Sequence, residues 1–105
     1  MIVYDIRLPK AQSAAAFGKF MRDEYFPAVH KGATRVGQVT ELRLLRCEPT
    51  PTQHKFLWLV GWSGLSQGGP RVDDERVNRK LERSGAKVKR LDAWEEIASW
   101  DESQG

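Results

Sequence analysis

Nine consecutive residues, His54-Lys55-Phe56-Leu57-Trp58-Leu59-Val60-Gly61-Trp62, constrain this chain more than any other stretch. They read as a strand that is apolar on both faces. Phe56, Trp58, Val60 and Trp62 share one parity, and Leu57 and Leu59 share the other. A strand with one face in water alternates apolar and polar residues. This one does not, so both sides of its sheet need cover. Only two other stretches have helical spacing, which is enough for one side. A second copy of the chain, or a ligand, is expected on the other, with Trp58 or Trp62 buried against the partner.

The remaining elements follow from local pattern. Ile2, Tyr4, Ile6 and Leu8 alternate with Val3, Asp5 and Arg7, which predicts a first strand over residues 2–8, ended by Pro9. Ser13 is a natural N-cap for a helix over 13–31. Phe17, Phe20, Met21, Tyr25 and Ala28 form its apolar stripe. Pro27 has no N–H and crowds the preceding turn, so that helix is expected to kink or restart near Tyr25-Phe26. A second strand spans 35–48, with phase slips that predict a bulge. Glu48-Pro49-Thr50-Pro51-Thr52 turns it into the third strand. Residues 63–70 read as a loop and candidate lid, 73–84 as a second helix stopped by Gly85, and 87–99 as a fourth strand. Residues 101–105 form a polar tail after a single domain over 1–100.

Composition narrows the function classes. With 105 residues the chain makes one domain. No apolar run is long enough to span a bilayer. The first residues have no basic segment followed by an apolar stretch, so no signal peptide is expected. The single cysteine, Cys47, excludes an internal disulfide, which suits a cytoplasmic protein. The net charge of +3 is too small to argue for nucleic acid. The basic run Arg76, Arg79, Lys80, Arg83, Lys87, Lys89 and Arg90 follows Asp73-Asp74-Glu75 and reads as a solvated helix face ordered by the helix dipole.

The order β-α-β-β-α-β, with helices crossing one face of an antiparallel sheet, is the ferredoxin-like α+β arrangement. Three stretches sharpen the likeness: Glu24-Tyr25-Phe26-Pro27-Ala28-Val29, Arg35-Val36-Gly37, and Leu59-Val60-Gly61-Trp62-Ser63. With them the chain resembles the dimeric α+β barrel superfamily, in which two ferredoxin-like subunits press their open sheets together. That superfamily includes cofactor-free monooxygenases of antibiotic biosynthesis and haem-degrading relatives. The resemblance implies a homodimer that binds a small, aromatic or polyketide-like molecule and needs no cofactor. The chain departs from the pattern after Trp62-Ser63, where Gly64-Leu65-Ser66-Gln67-Gly68-Gly69-Pro70 replaces the usual acidic residue or alanine, and its second helix carries no histidine. These departures leave the reaction open.

Several residues carry candidate chemistry. Tyr4, Trp58 and Trp62 are the expected ligand-binding residues, because flat aromatic ligands stack on such walls and an indole N–H or phenol O–H orients them. His30 and Tyr25 are the candidate proton-transfer groups. Core packing is the competing reading for the rings, and a helix-end contact for His30. Cys47, Glu48 and His54 lack the third and fourth partners of a metal frame, so no metal site is expected. Asp5 and Arg7 share a strand face and read as an ion pair. An alternative is a non-catalytic structural or regulatory dimer. A further one is an RNA-recognition-like domain with Tyr4, Phe56, Trp58 and Trp62 as stacking rings. Its third-strand signature fails, because Lys55 is followed by Phe56-Leu57-Trp58-Leu59 rather than by glycine and a second small residue.

Overall fold

The computed structural model describes residues 2–33, 38–63 and 72–93. Four strands, β1 (Ile2–Pro9), β2 (Gln38–Cys47), β3 (Gln53–Ser63) and β4 (Lys87–Ala93), form one sheet in the order β2-β3-β1-β4. Every neighbouring pair is antiparallel. This α+β order is compatible with the ferredoxin-like arrangement. β1 and β3, the two most apolar strands, take the centre.

The first helix has three parts: α1 (Ala14–Phe20), a π turn (Met21–Tyr25) and α2 (Phe26–Ala33). Ser13 caps α1, its hydroxyl accepting from the Ala16 N–H at 3.1 Å. The Phe26 N–H donates five residues back, to the Met21 carbonyl. The widened turn lies directly ahead of Pro27, whose ring and missing N–H do not fit a regular α-helix. The expected interruption at Tyr25-Phe26 is therefore a π turn with no break in the helix. It also sets the phase of the packing. The buried residues are Phe17, Met21, Tyr25 and Val29, spaced by four. Four residues overshoot a 3.6-residue turn by about 40°, so a purely α-helical series would drift off the sheet. The wider turn takes back part of that drift, and Val29 joins the core in place of a stripe ending at Ala28.

Helix α3 (Glu75–Arg83) starts at Asp74, whose carboxylate accepts from the Arg76 and Val77 N–H groups at 3.0 and 3.3 Å. It ends at Gly85, which has a φ of +74°, a conformation that costs a residue with a Cβ. α3 buries Val77 and half-buries Leu81. Across from it, Glu24 of the π turn accepts from Lys80 Nζ at 2.5 Å and lies 3.8 Å from Arg76. Part of the basic run thus ties α3 to the first helix, and its members within α3 are otherwise exposed.

Phe17, Met21, Tyr25, Val29 and Val77 pack against Ile2, Ile6, Leu8, Phe56, Trp58 and Val60. The helices therefore cover one face of the sheet. The register places Val3, Asp5, Arg7, Lys55, Leu57, Leu59, Arg43, Leu45 and Cys47 on the other face. There Leu57 and Leu59 are half-buried and Leu45 is 43% exposed. The dual apolarity of β3 is real, but the two faces fare differently. Trp58 is 3% exposed within the single chain, sealed by its own first helix and not by a partner. Val3, on the opposite face, is likewise 3% exposed.

The bulge expected in the second strand falls between Val39 and Glu41. It is matched by Gly61 on β3, where a Cβ would come within 2.8 Å of Thr40 Oγ1 and 3.0 Å of the Glu41 Cβ. The observed β2 begins at Gln38. Of the loop expected over 63–70, Ser63 is instead the last residue of β3. Residues 64–70, Arg35-Val36-Gly37, the end of the fourth strand expected beyond residue 93 and the tail lie outside the described residues.

Candidate functional site

β1 and β3 pair with Tyr4 directly opposite Trp58. Strand alternation points both side chains toward the helices. Their rings stack with centroids 4.7 Å apart. From above, the π turn delivers Tyr25, edge-on to Trp58 at 5.5 Å, and α2 begins with Phe26, stacked near Trp58 at 5.9 Å. Three of the five residues expected to serve ligand or chemistry, Tyr4, Tyr25 and Trp58, thus converge, and Phe26 completes the cluster.

The cluster is rich in donors. Trp58 Nε1 is buried and has no hydrogen-bond partner among the described residues. An indole N–H can only donate. Burial raises the pKa of Tyr25, with the neighbouring Tyr4 adding to the effect. Burial also raises that of Tyr4, while the nearby Arg90 guanidinium pulls it down. Both phenols are therefore held in the neutral, hydrogen-bond-donating form at physiological pH. Arg90 stands on β4 directly opposite Tyr4. It is exposed and pairs with no carboxylate among the described residues.

His30 is exposed on α2 and has no ring contact with the cluster. Only the backbone of Trp62 is described, paired with Val39. Its indole lies outside the described residues. His54 Nε2 bonds the Gln12 carbonyl at 3.0 Å, and its Nδ1 is buried without a partner among the described residues. Cys47 is a half-buried free thiol. Among the described residues no three His, Cys, Asp or Glu side chains group closely enough to hold a metal ion, and no helix is long and apolar enough to cross a membrane. Arg7 pairs with Asp5 at 3.1 Å, as its spacing predicts.

Tyr4, Phe56 and Trp58 lie on the helix-covered face. They are not on the side of the sheet that a stacked base would reach. The opposite face of β1 and β3 presents Val3, Asp5, Arg7, Lys55, Leu57 and Leu59.

A cleft of about 330 Å³ opens between the end of α2 and the approach to α3, lined by Ala28, Lys31, Gly32, Asp73 and Asp74. Ala28 lies one turn beyond Tyr25 on the first helix, but none of Tyr4, Tyr25, Phe26 and Trp58 lines the cleft.

Comparison with protein-family models, curated proteins and solved structures found no match for this chain.

Sequence reasoning missed Phe26 and Arg90. Phe26 precedes Pro27 and falls off a strict α-helical stripe, and only the π turn rotates it inward. The pairing of β4 beside β1 is what brings Arg90 to Tyr4. In the sequence Arg90 is one basic residue among several.

Proposed function

We propose that this protein binds a small planar aromatic molecule at the cluster of Tyr4, Tyr25, Phe26 and Trp58, and that it does so as a homodimer. The observation that carries the binding reading is the unpartnered indole N–H of Trp58. A buried donor without an acceptor costs about 1–3 kcal/mol. A ligand oxygen would recover that cost, while the surrounding rings supply stacking surface. Within this reading Tyr25 is the proton-bearing group at the site. A phenol kept neutral by burial donates a hydrogen bond to a ligand oxygen and does not act as a base near neutrality. Such a site binds, orients and dries its ligand.

The dimer reading rests on the opposite face. Leu45, Leu57 and Leu59 form an apolar patch there, with Leu45 substantially exposed. Lys55, Arg7 and Lys87 form a row of like charges across β3, β1 and β4 at one end of that face. Glu41, paired with Arg43, sits at the other end. A two-fold axis along the strands would lay the basic row on its own copy. An axis across the strands instead sets it against the Glu41 end and superposes the leucines.

The binding reading is tested by nuclear magnetic resonance of the indole N–H groups, with the Trp58 signal assigned by its loss in Trp58→Phe. Titration with 2-naphthoate and with its neutral isostere 2-naphthamide is expected to move the Trp58 signal saturably. If both probes leave that signal in place up to millimolar concentration, the binding reading fails.

A further inference from the structure

Resting on that binding site, we infer that its ligand carries an anionic oxygen on the aromatic framework and that Arg90 sets this preference. Polar groups at the cluster donate and do not demand protons. They are the unpartnered Trp58 Nε1, the two phenols and the guanidinium of Arg90. The carboxylates nearby are engaged elsewhere. Asp5 points to the opposite face and holds Arg7, and Glu24 holds Lys80 and Arg76 on the outside of the helices. No acidic side chain among the described residues competes with a ligand for Arg90.

The register sets the reach. Arg90, Tyr4 and Trp58 are consecutive cross-strand neighbours on β4, β1 and β3. Strands about 4.8 Å apart put the outer two backbones about 10 Å from each other. A molecule lying across Tyr4 can therefore offer one oxygen toward Arg90 while its ring system meets the aromatic walls. Tyr4 is half-buried and Arg90 exposed, so this flank of the cluster is open to an entering ligand. An anionic oxygen gains a charge-assisted hydrogen bond there, stronger than one to a neutral group. Tyr4 is part of the same recognition, because a neutral phenol beside a cation can donate to the same anion.

The test compares 2-naphthoate with 2-naphthamide, read at the Trp58 indole signal in wild type, Arg90→Gln and Arg90→Lys. Arg90 is exposed, so neither substitution threatens the fold, and circular dichroism checks this. Wild type is expected to bind the carboxylate about tenfold more tightly than the amide. Arg90→Gln should remove the preference by weakening carboxylate binding more than amide binding, and Arg90→Lys should keep part of it. Raising salt should narrow the gap in wild type. Equal affinities in wild type, or a preference that survives in Arg90→Gln, would overturn the role of Arg90 and leave the binding site standing. No movement of the Trp58 signal by either probe would overturn the inference and the site together.

Discussion

On one face of the sheet Ile6, Leu8 and Val60 are fully buried, and Trp58 and Phe56 nearly so, beneath a helix whose buried residues recur every four positions. On the other face Leu45, Leu57 and Leu59 share the surface with Arg7, Lys55, Asp5 and Arg43. The same strands build both faces, and β3 carries apolar residues on both sides, Phe56, Trp58 and Val60 on the covered one and Leu57 and Leu59 on the other. What separates the two is cover. The helix-covered face is a packed core, exposed at its Tyr4–Arg90 flank. The opposite face mixes an exposed Leu45 and half-buried Leu57 and Leu59 with charge, the features on which the proposed dimer rests.

The largest expected difference between the faces is in stability. Trp58→Ala should cost about 3–5 kcal/mol, as truncation of a buried ring does. Leu57→Ala, the neighbour pointing the other way and only half-buried, should cost about 1 kcal/mol in the isolated protomer. Denaturant unfolding at low protein concentration measures both. Equal costs would mean that the face opposite the helices is as fully packed as the core, and the contrast would dissolve.

Next is self-association. Leu45→Asp places a charge in the apolar patch without touching the core. It should weaken dimerisation by about 2 kcal/mol, roughly thirtyfold, while the monomer keeps its unfolding midpoint. Sedimentation across a concentration series reads the change. A wild-type protein that stays monomeric at high concentration would remove the dimer from the proposal, leaving the ligand site to be judged by itself.

A smaller effect belongs to the covered face alone. Tyr4 and Tyr25 have pKa values raised above the ordinary 10.0 by burial. As pH climbs past 10, the unfolded chain releases these protons while the folded one retains them. The stability contributed by the neutral phenols is therefore fully present below pH 10 and is lost as pH rises through the folded-state values. Tyrosinate absorbance should lag behind that of free tyrosine and then rise together with unfolding. Tyr25→Phe should remove part of the lag. A titration indistinguishable from free tyrosine would place both phenols in water.

The contrast between the faces was partly readable from residue order. Alternation in β1 and β3 identified which side chains travel together, and the cap at Ser13 and the stop at Gly85 marked helix ends within about two residues. The grouping of Tyr4, Tyr25 and Trp58 was legible as three aromatic residues on elements that must pack. Their identity as a cluster with an unpartnered indole was not, because that depends on how the indole is oriented under the helix. Of the two indoles expected against a partner, Trp58 or Trp62, that of Trp58 is buried by its own chain, and that of Trp62 lies outside the described residues. The misreading of Trp58 has a related reason. Periodicity says that a side chain faces cover, and does not say whose.

Sequence by itself determined the two-sided greasiness of β3, the hairpin into it, the presence of a bulge in β2 and the disturbance at Pro27, all of which are local consequences of side-chain size, parity and missing donors. Only the tertiary structure decided that the disturbance becomes a π turn aiming Tyr25 and Phe26 at Trp58, and that Arg90 stands beside Tyr4. Those placements join residues tens of positions apart, and they are fixed by strand order and helix phase, which no local pattern encodes.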